Sequence, residues 1–209
     1  KDIPAEFGAK LTAIPQSAPP LSGPRKPSTR HFDVCVVGHL RAEKDSLRAA
    51  YAVRDLPAES RLRVIHLGKA HNDEWAAMAQ AEMARNPRYI WRGEVPGWRV
   101  RREYARTQAL VISSVMEGGA NVVSEAIVVG VPVIASDISG NIGMLGEGYP
   151  GYYKCQDTAG LRALLIRAES DPDFLEDLTR RCIALAPRYT PEIEAAGWRA
   201  VIARVTGPA

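Results

Sequence analysis

The sequence has few cysteines, no long apolar run and almost no excess of charge. The three cysteines among its 209 residues are far apart and form no CxxC pair: Cys35, Cys155 and Cys182. This set favours neither a disulfide framework nor a metal cluster, and it fits a reducing, cytoplasmic setting. No apolar run approaches the roughly 18–20 residues that span a bilayer. We therefore expect no membrane partner and no metal.

The net charge is small and unevenly placed. The formal charge is +3, and residues 1–30 contain five Lys or Arg and two Asp or Glu, which leaves 22 of each sign in residues 31–209. A neutral body argues against a broadly basic nucleic-acid-binding surface. Apolar residues make up 46 % of the chain, which is enough for a core.

Proline divides the chain. Six of the 15 prolines fall in residues 1–30, which are predicted to be an interdomain linker. Within it, Ile14–Arg30 has no apolar period and is expected to be extended. We expect residues 31–190 to form the main domain and 191–209 a C-terminal helix that packs on a missing N-terminal domain. The start Lys1-Asp2-Ile3-Pro4 has neither an initiator Met nor a signal-peptide pattern, so the chain is expected to be a fragment.

From residue 32 onward, strand and helix patterns alternate. Short β-branched runs predict strands, and apolar residues at helical spacing predict the helices between them. The predicted strands are 32–38, 62–67, 88–91, 109–113 and 131–135, and the predicted helices are 43–55, 72–85, 97–106, 121–129, 158–169, 173–186 and 191–205. This order predicts an α/β fold, a Rossmann-like parallel sheet with helices on both faces. Ligands of such sheets bind beyond the carboxyl ends of the strands.

The strongest motif is the stretch from Met116 to Ala126, MEGGANVVSEA, which follows a predicted strand and opens a predicted helix. Its glycines let the backbone approach a ligand, and the helix start offers free N–H groups that favour an anion. Glu117 precedes the glycines, and Glu125 is expected in the first helical turn. These carboxylates would accept hydrogen bonds from sugar hydroxyls, because like charge keeps them from binding phosphate.

These residues resemble the donor-site signature of family-four glycosyltransferases of the GT-B fold. Besides the two Glu, the similarity includes Gly130-Val131-Pro132-Val133-Ile134-Ala135 and extends over about residues 32–206. The run from Gly38 to Lys44 resembles the family's diphosphate-binding loop, and Trp91-Arg92-Gly93-Glu94-Val95 resembles its base-binding turn. The resemblance implies the C-terminal, donor-binding half of such an enzyme.

The resemblance also implies a role for each matching residue. Glu125 would hold the ribose hydroxyls of a uridine diphosphate, and Glu117 would hold sugar hydroxyls. Lys44 and Arg41 would stabilise the leaving diphosphate, so that Glu117, Lys44 and Arg41 are the expected catalytic residues. The remaining donor contacts would come from Gly38, His39, Glu94, Val95, Gly118, Gly119, Ala120 and Asn121. Enzymes of this fold need no metal, and the UDP-sugar is a substrate and not a cofactor.

His39 departs from the family pattern, which has Arg directly after the strand-end glycine. Imidazole titrates near pH ~6.5 and is a weaker anion ligand than guanidinium. Our hypothesis is that Arg41 and Lys44 share the diphosphate while His39 supports the loop or faces the acceptor. A structural role for His39, bonded to backbone, stays open.

A narrower resemblance concerns the acceptor. Met116–Glu125, together with Gly140–Gly146 and Pro150–Tyr153, is similar to the subgroup that includes the selenosugar synthase of selenoneine biosynthesis. This implies transfer of a hexose, glucose or N-acetylglucosamine, to selenophosphate. Two alternatives remain: a family-four enzyme with a hydroxyl acceptor, and a nucleotide-sugar-binding module without turnover. The oligomeric state is not predicted.

Other patterns have weaker interpretations. Asp171-Pro172-Asp173 spells a DxD, but its position between two helices favours an N-cap over a metal ligand. The glycine-rich stretch Gly140–Gly148 is expected to close over the acceptor or to form a long turn. Tyr152 and Tyr153 are expected to pack beside the last strand.

Overall fold

The computed structural model describes residues 5–207, in which strands and helices alternate as the sequence predicts. The strands are β1 (Phe32–Val37), β2 (Leu62–Leu67), β3 (Tyr89–Trp91), β4 (Ala109–Ile112), β5 (Val133–Ser136) and β6 (Tyr152–Tyr153). The helices are α1 (Arg48–Ala52), α2 (Asp73–Arg85), α3 (Gly97–Arg106), α4 (Asn121–Val128), α5 (Ser139–Leu145), α6 (Thr158–Ser170), α7 (Pro172–Leu185) and α8 (Pro191–Thr206). Short 3-10 helices lie at Ala5–Lys10, Ala42–Lys44 and Ala186–Tyr189.

The strands form one parallel sheet in the order β3-β2-β1-β4-β5-β6. The longest pairing joins β1 and β2 from Phe32 opposite Leu62 to Val37 opposite Leu67. Helices around the sheet bury its strands, which explains why they are apolar along their length. The predicted α/β Rossmann-like fold is confirmed.

The strand order places a switch point between β1 and β4. From β1 the chain proceeds through β2 to β3, and it then returns to the other side of β1 to form β4. Connections on the two sides of a switch point diverge and leave a crevice at the carboxyl ends of the strands. The loops that follow β1 and β4 border this crevice.

Two predicted elements differ in the structure. The predicted helix at 43–55 is broken, since Asp45 adopts a left-handed conformation (φ 43°) between the 3-10 helix and α1. The stretch Gly140–Gly148 is not a long turn over most of its length, because α5 continues to Leu145, and its closure over an acceptor stays a prediction. The glycines of this stretch favour a turn in the sequence, so the helix was not predicted.

The edge of the sheet also differs from the prediction. Tyr152 and Tyr153 do not pack beside the last strand but form it, pairing with Ala135 and Ser136. The prediction at Asp171 is confirmed: its Oδ1 accepts the Phe174 N–H at 3.0 Å, which caps α7.

The Pro-rich segment follows the surface of the domain in an extended path. The N–H of Ala18, which is buried, donates to the carbonyl of Tyr189 at 3.1 Å, and the N–H of Lys26 donates to that of Ala105 at 2.8 Å. The boundaries at residues 30 and 190 remain predictions.

Helix α8 leaves its apolar side exposed. Trp198 is 54 % exposed and Ile202 is 56 % exposed. Whether this face packs on another domain stays a prediction. Within residues 5–207, no helix combines the length and the apolar character needed to cross a bilayer.

Candidate donor-binding site

A cleft of about 360 Å³ opens at the carboxyl ends of β1 and β2. Its walls contain the Gly38 loop and the turn after β3, which supplies Glu94 and Val95. Six residues of the predicted donor site line it: Gly38, His39, Arg41, Lys44, Glu94 and Val95. Apolar side chains add Leu67, Val100 and Val122 to its walls.

The floor of the cleft is built by a close approach of two backbones. Gly68, at φ 153°, follows β2, and a Cβ atom there would lie 1.9 Å from the Gly38 carbonyl oxygen. That carbonyl accepts a hydrogen bond of 3.0 Å from Nε2 of the buried His66. His66 Nδ1 in turn accepts from the Tyr89 hydroxyl at 2.9 Å. Two contacts therefore fix the start of the loop after β1: the His66 side chain donates to the Gly38 carbonyl, and the Gly68 backbone packs against the same group.

His39 is exposed at the rim of this cleft. Its Nδ1 accepts a hydrogen bond of 3.2 Å from the backbone N–H of Lys69. In the neutral imidazole the proton then resides on Nε2, which is a donor. His39 thus binds backbone, as its structural interpretation expected, and its other nitrogen remains a donor group beside Arg41.

Lys44 and Glu117 form an ion pair across the switch point. The Lys44 Nζ group, from the loop after β1, contacts Glu117 Oε1, from the loop after β4. The same oxygen accepts the hydroxyl of the buried Ser114 at 2.7 Å. The two side chains of the pair are 20 % and 13 % exposed, so this is a largely buried charge pair with one added hydrogen bond. It brings two of the three predicted catalytic residues together.

The glycine loop between β4 and α4 presents backbone donors. Within the described chain, the N–H groups of Gly118, Gly119, Ala120 and Asn121 donate to no protein acceptor. Ala120 is the N-cap of α4 and offers no side-chain cap. The loop passes tightly over α5, since a Cβ on Gly140 would lie 2.1 Å from the Glu117 carbonyl oxygen. Its glycines line a second cavity, bordered by residues 13–16 and by Arg188.

Glu125 lies farther into the helix than expected. Because α4 begins at Asn121, Glu125 is its fifth residue and not part of the first turn. It is half-buried, and its Oε2 accepts a hydrogen bond of 2.9 Å from the Tyr104 hydroxyl. Burial raises the pKa of Tyr104 well above its usual value, so the phenol stays a donor.

Comparison with a known family decides what class of protein this is. The family model of the glycosyl transferases group 1 matches residues 24–184. The chain belongs to this family. None of the curated proteins compared with the sequence matches it.

Solved structures similar to this group 1 glycosyltransferase chain share its fold. Anabaena Alr3699/HepE in complex with UDP is 17 % identical with a TM-score of 0.72, over 82 % of this chain and 49 % of that one. The complex of the same protein with UDP and glucose is 16 % identical with a TM-score of 0.73, over 82 % of this chain and 48 % of that one. The lipopolysaccharide outer core galactosyltransferase WaaB, in its apo form, is 17 % identical with a TM-score of 0.72, over 98 % of this chain and 57 % of that one. The chain spans about half the length of these proteins.

The glycosyltransferase site also has residues that sequence reasoning missed. Lys69 brings a further cation to the cleft. Ser114 and Tyr104 hold the two carboxylates of the motif. Ser114 lies two residues before Met116, within reach of the motif, whereas no pattern in the sequence linked Tyr104 to Glu125. Among residues 5–207, no group of three or more His, Cys, Asp or Glu could hold a metal ion.

Proposed function

We propose that this chain binds a UDP-hexose in the cleft and is the donor half of a hexosyltransferase. The observation that carries the proposal is the Lys44–Glu117 pair, which joins the two loops at the switch point. A cation beside a free backbone loop suits a diphosphate, and a carboxylate beside it suits sugar hydroxyls. The UDP complexes of HepE support the same donor. Because the chain spans half of those proteins, the complete activity requires a second domain.

In this proposal the chain stabilises a departing UDP. An acceptor displaces the diphosphate at the anomeric carbon, the carbon–oxygen bond to phosphate breaks, and its electron pair leaves with UDP. Lys44, Arg41 and the N–H groups at the start of α4 would stabilise the developing charge. Lys44 must then turn from Glu117 toward phosphate, and this frees Glu117 Oε1 for a sugar hydroxyl.

We further propose selenophosphate as the acceptor and glucose or N-acetylglucosamine as the hexose. The support is the similarity of Met116–Glu125, Gly140–Gly146 and Pro150–Tyr153 to the selenosugar-forming subgroup. An anionic acceptor also suits Lys69, an exposed cation on the cleft wall that the donor proposal does not use. A hydroxyl acceptor is the alternative.

Calorimetry with UDP tests the donor proposal. The wild type should bind UDP, and Lys44→Ala should weaken binding at least about tenfold, because one charge-assisted contact is lost. Lys26→Ala is the control, since Lys26 is exposed on the Pro-rich segment and away from the cleft. Equal UDP affinity in Lys44→Ala and wild type would refute this role of Lys44.

UDP release distinguishes the acceptors. Selenophosphate should stimulate release from UDP-glucose or UDP-N-acetylglucosamine, whereas a panel of sugar alcohols should not. No stimulation by selenophosphate, with release in the presence of an alcohol, would select the hydroxyl acceptor. UDP binding without any release would indicate a donor-binding module without turnover.

A further inference from the structure

Tyr104 occupies an unusual position for a buried tyrosine, because its hydroxyl reaches a carboxylate of the candidate site. The side chain lies on α3 and is 1 % exposed, so packing fixes the ring. Its backbone is held as well: the Tyr104 carbonyl accepts from Arg25 Nε at 3.3 Å. The hydroxyl that donates to Glu125 Oε2 therefore belongs to a side chain whose position is fixed.

We infer that Tyr104 is the positioning residue that orients Glu125 toward the donor ribose. This inference rests on the proposed function, in which Glu125 binds the ribose hydroxyls. A carboxylate has two oxygens and about four acceptor positions. The Tyr104 hydroxyl occupies one position on Oε2, which fixes the plane of the carboxylate and leaves Oε1 to accept from a ligand.

The chemistry of the pair fits a positioning role. The phenol is neutral and donates without supplying positive charge, so Glu125 keeps its full negative charge for the ribose. A cation there would compete with the ligand for the carboxylate, as Lys44 does at Glu117 in this structure. The two carboxylates of the motif are therefore held differently, one by a phenol and the other by a serine and a lysine.

The test compares UDP with 2′,3′-dideoxy-UDP, which lacks both ribose hydroxyls. In the wild type, calorimetry should show UDP binding about tenfold or more tightly than the dideoxy analogue, as expected for hydrogen bonds to a charged group. Tyr104→Phe removes only the hydroxyl. It should weaken UDP binding severalfold and leave the affinity for the analogue unchanged, so that the preference for UDP falls.

Tyr149→Phe is the matched control. Tyr149 is also buried, and its hydroxyl donates to the Val133 carbonyl at 2.7 Å. Val133 begins β5, so this contact lies at the amino ends of the strands, whereas the cleft lies at their carboxyl ends. A merely structural role for Tyr104 predicts that both variants melt earlier and keep the wild-type preference for UDP. An unchanged preference in Tyr104→Phe would overturn the inference.

Glu125→Gln separates this inference from the proposed function. If Glu125→Gln lowers the preference for UDP and Tyr104→Phe does not, only the role of Tyr104 is wrong. If Glu125→Gln keeps the full preference, Glu125 does not bind ribose and both assignments fall. If the wild type binds neither nucleotide, the proposed donor itself is wrong.

Discussion

Buried polar side chains support the candidate site at the residue scale. His66, Ser114 and Tyr104 are each almost fully buried, and each donates a hydrogen bond to a group of the site. A buried polar group without a partner costs free energy, so these donors fix their acceptors in place. The exposed cations of the cleft are held less firmly and can follow a ligand, since Arg41 has only a 3.9 Å ion pair with the exposed Glu43.

Ser114 should matter for donor binding more than for stability. In Ser114→Ala, Glu117 loses its 2.7 Å hydrogen bond but keeps Lys44 as partner. We expect the affinity for UDP-glucose to fall severalfold, with a loss of about 1 kcal/mol in the free energy of unfolding. Calorimetry and urea unfolding would measure the two quantities. A stability loss without any change in UDP-glucose affinity would show that Ser114 does not act through Glu117.

His66 predicts a pH dependence of stability. Burial lowers the pKa of His66 to about 4, whereas an unfolded chain has a histidine pKa of about 6.5. The unfolded state therefore binds the proton first as pH falls, so this contribution to stability is complete above pH ~6.5 and is lost progressively toward pH ~4. It amounts to about 3 kcal/mol.

The check is urea unfolding at pH 7 and pH 4.5 for wild type and His66→Gln. Glutamine can still donate to the Gly38 carbonyl but does not titrate, so the variant should lose less stability between the two pH values. The carboxylates contribute equally to both proteins, and the difference isolates His66. If wild type and His66→Gln lose the same free energy of unfolding between pH 7 and pH 4.5, His66 is not held as a buried neutral imidazole.

At the scale of elements, the loop that carries Glu117 depends on the helix beneath it. Gly140 sits in the first turn of α5, where its missing side chain leaves room for the Glu117 backbone. Gly143 lies on the same helix, and a Cβ there would meet nothing within 4 Å. Close packing therefore requires glycine at Gly140, whereas Gly143 has room for a side chain.

Gly140→Ala should displace the glycine loop. The added methyl group would lie 2.1 Å from a carbonyl oxygen, so the loop must move, at a cost of about 1–3 kcal/mol in stability. UDP-glucose affinity should fall with it. Gly143→Ala should keep wild-type affinity and be neutral or stabilising, because alanine favours helix. Equal affinity in the two variants would indicate that loop and helix are not coupled.

The Pro-rich segment is fastened to the domain by Arg25. Its half-buried guanidinium donates to the carbonyl oxygens of Thr107 and Gly130, and through Nε to that of Tyr104. Arg25→Ala should lower the free energy of unfolding by about 2–4 kcal/mol, because it leaves carbonyls without a donor. Arg30→Ala, an exposed arginine on the same segment, should change it by less than about 0.5 kcal/mol. Urea unfolding of both variants measures the two free energies, and equal values would contradict this role of Arg25.

The sequence predicted most elements because local patterns determine them. The strand at 62–67 and the helix at 97–106 have the predicted bounds, since β-branched runs and helical spacing act over a few residues. Helix α5 was missed because its two glycines and lack of a polar cap favour a loop locally, and packing beneath Glu117 overrides that preference. The edge strand of two tyrosines is too short to have a pattern.

The site was predictable only in part, for a similar reason. Its glycines and charged residues stand in recognisable motifs, so Lys44 and Glu117 could be assigned to one donor site. The contact of Tyr104 with Glu125 joins residues 21 positions apart on different helices. It depends on how α3 and α4 pack, which no local spacing specifies.

At the scale of the whole molecule, function concentrates at one end of the sheet. The cleft lies at the carboxyl ends of β1 and β2. The ion pair joins the loops after β1 and β4, where the strand order changes direction. In the arginine-lined cavity at the other side of the domain, Arg54 and Arg85 are both paired with Glu82. The end of the sheet that carries the cleft combines free backbone donors with the carboxylate of Glu117.

The position of bound UDP tests this account most directly. In a crystal structure of the complex, we expect the diphosphate beside Lys44 and Arg41, with the Lys44–Glu117 contact broken, and the ribose hydroxyls at Glu125 Oε1. UDP bound elsewhere, for example in the cavity near Arg54, or in the cleft with its ribose turned away from Glu125, would contradict the account.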